Sequence, residues 1–459
     1  MRNILLLLLI SLTTFSAHGQ PIAGQWFGAL RIPGNQQLRL VFNISKTDNS
    51  YSATMDSPDQ GAKGIPATST TFENPKLTIT LKNLSIDYTG ELKGDSIVGT
   101  FKQGGFSLPL TLSKKEIEKK AAIRPQEPAK PYPYHSEDVT FENPTANITL
   151  AGTLTLPKKE GNFPAVVLIT GSGPQNRNEE LLDHKPFLVL ADYLTRNGIA
   201  VLRYDDRGVA DSKGNFQMAT SADFATDVLA AVTFLKGRKE INPKHIGLIG
   251  HSEGGLIAPM VAQQSKDVGF LVLLAGTGIP GDQLLLKQQE LIGKASGVSD
   301  SALQKILADN KVAYNIITQS TNTDSLKRTL TNYLKKVMPD TSAGSDEHIK
   351  AQVAQLASPW LQYFMRYDPA VTLTKVKIPV LALNGANDLQ VPAELNLTAI
   401  RNALAKAGNK HVTTKVLPGL NHLFQESKTG LPAEYGSIEQ TFSPVALAEI
   451  ANWIQQQTK

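Results

Sequence analysis

The sequence contains no cysteine among its 459 residues. This absence excludes disulfide bonds, metal sites built from thiolates and anchoring through a lipidated cysteine. The formal net charge is only +5 and no basic cluster stands out, so we do not expect nucleic acid as a partner. Hydrophobic residues make up 41% and charged residues 19%, which is typical of a globular protein long enough for two or three domains.

Long apolar runs are scarce as well, and the one that stands out lies at the amino terminus. Ile4 to Ile10 form an unbroken apolar run after Arg2, and residues 17–19 (Ala-His-Gly) have the small-x-small pattern of a cleavage site. The run is too short to span a bilayer. We therefore predict that residues 1–19 are an export signal, and that the mature protein is periplasmic or secreted, without stable membrane insertion. A retained anchor helix is the alternative.

Residues 20–113 show the pattern of an all-β domain. Apolar and polar side chains alternate over residues 38–44, 76–81 and 96–101, and turn-forming residues separate these segments. We expect a small barrel or sandwich with Trp26 and Phe27 in its core. Residues 114–133 are charged and then rich in proline, which predicts a semi-rigid linker.

From residue 134 to residue 459, strand and helix patterns alternate, which predicts an α/β domain with a mainly parallel sheet covered by helices on both faces. The alternation stops between about residues 281 and 366, where the pattern is helical throughout. We interpret this block as a helical cap, inserted at the end of the sheet where we expect the catalytic residues. A plain structural extension is the alternative.

A glycine-rich turn follows one of the buried strands. Residues 246–249 are mostly apolar, Gly250 to Gly254 read Gly-His-Ser-Glu-Gly, and an apolar helical pattern begins at Leu256. This is the G-x-S-x-G motif between a strand and a helix, which is typical of a nucleophile elbow. The motif predicts that Ser252 is a catalytic nucleophile at a helix N-terminus, where backbone N–H groups stabilise negative charge.

A serine nucleophile needs a base and an acid that orients the base. His422 follows the last strand in a loop with apolar neighbours, so we predict that it is the base. His251 adjoins the serine, but an elbow points it elsewhere. Asp388 is the only acid in the loop Asn384–Asp388 after a buried strand, and it lies between Ser252 and His422 along the chain, which is the order that goes with the G-x-S-x-G elbow. We predict that it is the acid, and Asp282 is the fallback.

Two backbone amides should bind the developing oxyanion. The first is the amide of Glu253. The second should come from the loop after Ile169, with Ser172 as our choice and Gly173 as the alternative, because glycines allow this loop to approach a substrate closely.

Other charged and aromatic residues near these motifs receive structural interpretations. We expect Arg207 and Asp206 to form a buried ion pair, and the charged side chains at 177, 179 and 180 to be solvated. Trp360 either lines an acyl pocket or packs the helical block. No cofactor or metal is predicted.

These motifs occur together in one known family. They are residues 171–175 (Gly-Ser-Gly-Pro-Gln), 204–208 (Tyr-Asp-Asp-Arg-Gly), 250–255, 384–388 and 421–422 (Asn-His). On these residues the chain from about 134 to 459 resembles the α/β-hydrolase superfamily, and within it exported bacterial serine esterases of the carboxylesterase and serine-aminopeptidase-like branch. It departs from their pattern with Asn176 and Asn178 in place of aspartate, and with Ala210 in place of glycine.

The resemblance and the residues lead to one expected function. We predict an exported serine hydrolase that cleaves small or short-acyl carboxylic esters through an acyl-enzyme. The alternatives are a peptidase or thioesterase on the same residues, and a binding module without catalysis on a hydrolase scaffold. The sequence leaves the oligomeric state open.

Overall fold

The computed structural model describes residues 22–32, 36–48, 50–60, 62–103, 106–118, 123–338 and 346–459. The expected signal segment, residues 1–19, lies outside this range, so export stays a prediction. The chain divides at residues 119–120 into two compact units, which are described separately. No helix within the described ranges is both long enough and apolar enough to cross a membrane.

The first unit is all-β, as the sequence pattern predicts. Its described residues form one antiparallel sheet in the order β4-β3-β2-β1-β9-β8-β7-β6-β5. The strands are β1 (Gly24–Ile32), β2 (Gln36–Thr47), β3 (Ser50–Ser57), β4 (Ala62–Pro66), β5 (Ser69–Glu73), β6 (Lys76–Leu81), β7 (Ile86–Lys93), β8 (Ser96–Gln103) and β9 (Phe106–Ser113). Alternate apolar side chains of this sheet share one core, which contains Trp26, while Phe27 is only partly buried.

The second unit has the α/β architecture expected from the alternating pattern. Its sheet has the order β10-β11-β13-β12-β14-β15-β16-β17, in which the strands from β13 to β17 are parallel. The first two strands are antiparallel to their neighbours. The strands are β10 (His135–Asn143), β11 (Ile148–Leu156), β12 (Phe163–Ile169), β13 (Ala200–Tyr204), β14 (Ile241–His251), β15 (Phe270–Leu274), β16 (Val380–Gly385) and β17 (Val412–Leu417).

The helices of the second unit lie between these strands and after them. They are α1 (Pro186–Arg196), α2 (Ser221–Lys236), α3 (Glu253–Gln264), α4 (Gly281–Ala295), α5 (Asp300–Gln319), α6 (Thr323–Val337), α7 (Asp346–Leu356), α8 (Pro359–Arg366), α9 (Ala370–Leu373), α10 (Ala393–Lys406) and α11 (Pro444–Gln457). Helix α2 begins with a capping box, in which Thr220 and Asp223 satisfy each other's backbone N–H groups.

Two apolar cores cover the two faces of this sheet, because successive strand residues point to opposite sides. On β15, Leu271 and Leu273 join the core that contains α2 and α3. Val272 and Leu274 join the core that contains α1 and α11. A parallel sheet that is buried on both faces needs such continuous apolar strands, which is why they were recognisable in the sequence.

Helices α4 to α8 lie between β15 and β16, so the described residues of the range 281–366 are mainly helical. Leu326, Leu330 and Leu334 recur at helical spacing along α6, and they pack with residues of α5, α7 and α8 into a separate core. The block therefore has a hydrophobic core of its own. We call residues 281–366 the cap.

The second half of the proline-rich segment is attached to the second unit by its polar side chains. Arg124 donates to the carbonyl oxygens of Gly436 and Ile438, and Gln126 donates to that of Phe442. Glu127 forms a salt bridge of 2.8 Å with Lys185. Composition alone indicated the linker and gave no sign of these contacts, which are made to residues distant in sequence.

Candidate active site

The turn after β14 has the geometry of a nucleophile elbow. Ser252 lies between β14 and α3 with φ of 53° and ψ of −114°, a strained conformation for a residue other than glycine. The close approach of neighbouring backbone explains the two glycines. A Cβ atom at Gly250 would lie 2.0 Å from the carbonyl oxygen of Gly254, and one at Gly254 would lie 2.2 Å from that of Ile169. The elbow thus requires these glycines and holds Ser252 at the start of α3.

The predicted acid and base are hydrogen-bonded to each other. His422 Nδ1 lies 2.8 Å from Asp388 Oδ2, and both side chains are buried. The other oxygen of Asp388 accepts from the backbone N–H groups of Gln390 and Val391, at 2.9 and 2.8 Å. Since a carboxylate oxygen accepts, His422 carries its proton on Nδ1 and leaves Nε2 free to take a proton.

Ser252 and His422 line the same cavity, which has a volume of about 230 Å³. The cap supplies an apolar wall to this cavity from α4 and α8, formed by Leu284, Leu285, Trp360 and Phe364. The fallback acid Asp282 lies elsewhere, on a second cavity of about 480 Å³ between α4 and α5. The structure therefore brings together Ser252, Asp388 and His422 and leaves Asp282 out.

The loop of residues 170–174 after β12 contributes Gly171 and Ser172 to the lining of the cavity. Ser172 lines the cavity, whereas Gly173 lines a neighbouring small void. The amide of Gly171 is already engaged, because it donates to Glu179 Oε1 at 2.7 Å. Of the two residues considered for the second oxyanion amide, Ser172 is thus the one placed beside the nucleophile.

A comparison with protein-family models decides the family. The model described as serine aminopeptidase, S33, matches residues 185–428, which is more than half of the chain. This chain belongs to the S33 family. The matched region contains Ser252, Asp388 and His422, while Ser172 precedes it. The chain is therefore a hydrolase with the α/β-hydrolase fold.

Individual relatives of this S33 hydrolase carry related names. The esterase EstD of Thermotoga maritima is 28% identical over 331 residues, which cover 71% of this chain and 68% of the relative. Among solved structures, the Pyrococcus furiosus esterase Pf2001 aligns with 75% of this chain and 100% of its own, at 15% identity and a TM-score of 0.45. Est1E of Butyrivibrio proteoclasticus aligns with 70% of this chain and 98% of its own, at 17% identity and a TM-score of 0.40.

The carboxyl group of Glu253, directly after the nucleophile, connects three elements of the S33 hydrolase. Ser221 at the start of α2 donates to it at 2.6 Å, and the indole N–H of Trp360 lies 2.8 and 2.9 Å from its two oxygens. Ser172 donates as well. Burial raises the pKa of Glu253, and these hydrogen bonds oppose the rise. Trp360 therefore lines the cavity, packs against the core of the cap as one of the two expectations had it, and hydrogen-bonds to the residue after the nucleophile.

Two of the expected structural charges have other partners than the sequence suggested. The expected Arg207–Asp206 pair is wrong: Arg207 forms a bidentate pair with Asp227, at 2.7 and 2.9 Å. Asp206 instead accepts from Thr170 Oγ1 and from the amide of Gln175. Both residues are buried as expected, but neighbouring side chains that leave a strand point in different directions.

The expectation of solvated charges at 177 and 179 is also wrong. Arg177 pairs with Asp205, which is buried, and its backbone N–H donates to the same carboxylate at 2.7 Å. Glu179 is only 5% exposed. Glu180 is exposed, as expected. The sequence shows three charged residues close together in one loop, and only the folded loop shows that Arg177 and Glu179 turn inward while Glu180 does not.

His251 and Glu179 form a second buried acid–histidine contact that sequence reasoning missed. His251 Nδ1 lies 2.9 Å from Glu179 Oε1, and its ring centroid lies 4.9 Å from that of His422. His251 lines the same cavity as Ser252 and His422, and the sequence held no sign of its partner 72 residues earlier. Among the described residues, no group of three or more His, Asp or Glu side chains could hold a metal ion.

Asp206 should make the stability of the protein depend on pH. Burial raises its pKa to about 8, against the opposing hydrogen bonds from Thr170 and Gln175, whereas an unfolded aspartate titrates near pH ~4. Between these values the folded protein binds a proton that the unfolded chain releases, so the free energy of unfolding falls as the pH rises from about 4 to about 8.

In the variant Asp206→Asn, the side chain at position 206 cannot titrate. The free energy of unfolding of this variant should therefore fall less steeply with pH than that of the wild-type protein, by up to about 1.4 kcal/mol per pH unit. Urea denaturation of both proteins at pH 5, 6, 7 and 8 measures the two slopes. Equal slopes would show that Asp206 is ionised throughout this range.

Proposed function

We propose that this S33 hydrolase cleaves small or short-acyl carboxylic esters through an acyl-enzyme on Ser252. The observation that carries the proposal is the hydrogen bond of 2.8 Å between His422 Nδ1 and Asp388, on the cavity that Ser252 also lines. This hydrogen bond engages Nδ1 and leaves Nε2 of His422 free to act as a base. The nucleophile that it would deprotonate, Ser252, lies in the strained turn of the elbow.

In the proposed first half-reaction, Ser252 Oγ attacks the ester carbonyl carbon while its proton passes to His422 Nε2. The carbonyl oxygen becomes an oxyanion, for which we propose the amides of Glu253 and Ser172 as donors. The start of α3 contributes the positive end of its dipole. When the intermediate collapses, the bond from carbon to the alcohol oxygen breaks, and the alcohol leaves with the proton from His422.

In the second half-reaction, water gives a proton to His422 and attacks the acyl-enzyme. Collapse of the second intermediate returns the proton to Ser252 and releases the carboxylic acid. The sum is one ester and one water converted to one acid and one alcohol, with the protein unchanged. Asp388 keeps its hydrogen bond to Nδ1 and stabilises the imidazolium that exists between the steps.

Two features of the cavity favour a small neutral ester over a peptide with a free amino terminus. Its volume of about 230 Å³ is below the range of ~300–1,000 Å³ that is usual for ligand pockets. The carboxyl group of Glu253 is engaged by Trp360 and Ser221, and Glu179 Oε1 is engaged by Gly171 and His251. Both carboxyl groups therefore already accept hydrogen bonds from within the protein, which makes them less available to an ammonium group. The name of the relative EstD, an esterase, supports the same choice.

Activity should depend steeply on acyl-chain length. We expect kcat/KM on p-nitrophenyl esters to be highest between acetate and butyrate and to fall by at least about tenfold at octanoate, because a long chain collides with the cap wall. Leu285→Ala, which removes part of that wall, should move the optimum towards longer chains. Leu286→Ala is the matched control, since Leu286 lies on the same helix and lines the other cavity.

The same panel should include aminoacyl p-nitroanilides and thioesters. Faster turnover of an aminoacyl anilide than of p-nitrophenyl butyrate would replace the proposed esterase with an aminopeptidase on the same residues. A wild-type rate for octanoate equal to that for butyrate would contradict the proposed substrate size.

A further inference from the structure

Glu179 lies at the junction of two loops of the active site. Its Oε1 accepts from the amide of Gly171, at 2.7 Å, and contacts His251 Nδ1, at 2.9 Å. Gly171 immediately precedes Ser172 in the 170–174 loop, and His251 immediately precedes Ser252. One buried oxygen atom therefore connects the 170–174 loop to the residue before the nucleophile.

The other ring nitrogen of His251 reaches the loop of the proposed base. His251 Nε2 lies 3.0 Å from the carbonyl oxygen of His422. A carbonyl oxygen can only accept, so Nε2 must carry a proton. Nδ1 faces an oxygen that already accepts from Gly171. Both nitrogens of His251 thus face acceptors, the arrangement that an imidazolium satisfies and a neutral imidazole does not.

We propose that Glu179 and His251 form a buried carboxylate–imidazolium pair that positions the 170–174 loop and the backbone of His422 for ester hydrolysis. The inference rests on the proposed function, because it assigns these residues a role in that reaction. Neither group has to touch the substrate's reacting atoms, so both are positioning residues. We call them the positioning pair.

The charges around His251 support the imidazolium form. Burial is the largest single influence and lowers the pKa of His251, but the Glu179 carboxylate, the His422 carbonyl and the more distant Asp388 together outweigh it, so the pKa is raised. The other charged group facing it would be His422 itself, at 4.9 Å between ring centroids, during the step in which it holds a proton. The imidazolium of His251 thus donates a hydrogen bond to the backbone of His422 and holds it in place, while Glu179 neutralises the imidazolium charge.

The kinetic test uses Glu179→Gln in the full chain, because glutamine preserves the shape and removes the charge. We expect kcat on p-nitrophenyl butyrate to fall about tenfold while KM changes less than twofold, since misplaced oxyanion donors and base affect the transition state and not substrate binding. The inhibition constant of a trifluoromethyl ketone, whose adduct with a serine carries an oxyanion, should rise by a similar factor.

Glu180→Gln is the matched control, because Glu180 is the next residue, carries the same charge and is exposed. It should leave kcat and the inhibition constant unchanged. If Glu179→Gln lowers only the melting temperature and leaves kcat and the inhibition constant of the folded protein at wild-type values, the pair is merely structural and the inference is wrong.

Two substitutions of His251 separate its contact with Glu179 from its contact with the carbonyl oxygen of His422. Asparagine keeps a donor near Glu179 and loses the one to His422, whereas glutamine reaches towards His422 and loses the contact with Glu179. We expect both to lower kcat by about ten- to a hundredfold. We also expect Glu179→Gln to add little to His251→Gln, because that variant has already broken the contact. Full additivity of the two effects would contradict a coupled pair.

A spectroscopic readout keeps this inference separate from the proposed function. In ¹⁵N NMR of the wild-type protein at pH 7.0, both ring nitrogens of His251 should be protonated, and Glu179→Gln should remove one of these protons. A neutral His251 in the wild-type protein would overturn the pair even if the protein is an active esterase. A protonated His251 in a protein without esterase activity would overturn the proposed function and leave the ion pair established.

Discussion

Replacement of Ser252 by alanine is expected to lower kcat on p-nitrophenyl butyrate by about 10⁶-fold, because it removes the atom that forms the acyl-enzyme. The fold should survive. Alanine has the same Cβ as serine at a φ of 53°, so it adds no backbone strain that serine does not already bear. The measurement is steady-state kinetics beside circular dichroism and thermal unfolding of both proteins.

Ser265→Ala provides the control for this experiment, because Ser265 caps the opposite end of the same helix, α3. It should retain wild-type kcat. Near-normal ester hydrolysis by the Ser252→Ala protein would end the proposed mechanism. A loss of activity that is matched by loss of the folded state would show that the serine is needed for structure.

The second large effect is expected for Asp388→Asn, which should lower kcat by about 10⁴-fold with little change in KM. The asparagine oxygen can still accept from the amides of Gln390 and Val391, which turns its NH₂ group towards His422. His422 Nδ1 must then accept a hydrogen bond, so its proton moves to Nε2. In that tautomer His422 cannot take the proton of Ser252.

Asp282→Asn tests the alternative acid under the same conditions. Asp282 lies in the first turn of α4 and lines the cavity between α4 and α5, whereas His422 lines the cavity of Ser252. We expect no change in kcat. A greater loss from Asp282→Asn than from Asp388→Asn would reassign the acid and contradict the geometry on which the proposal depends.

The strands and the three residues of the proposed triad could be predicted from the sequence because their signals are local. A strand buried on both faces is apolar throughout, and residues 165–169, 200–204 and 270–274, which lie in β12, β13 and β15, show this pattern. The elbow is encoded by glycines that steric contact requires. Asp388 and His422 each follow a strand, and parallel strands bring their carboxyl ends to one edge of the sheet.

The supporting contacts could not be predicted, because they join residues that are distant in sequence and whose types are ambiguous. Glu179 resembled an ordinary loop charge, and only the fold brings it to His251. Arg207 was recognisable as a buried cation, but its partner, Asp227, lies on a helix 20 residues later. Trp360 could have packed anywhere in the cap, and its indole N–H points at Glu253 from 107 residues away.

The most direct test of the central claim is covalent labelling of the full chain with a fluorophosphonate, followed by mass spectrometry of the digested protein. A serine that is activated by a base displaces fluoride and forms a stable phosphonyl ester. We predict one adduct per chain, on the peptide that contains Ser252, formed at least about 10³-fold more slowly in the Asp388→Asn protein. No adduct in the folded wild-type protein, or an adduct on another residue, would contradict the account.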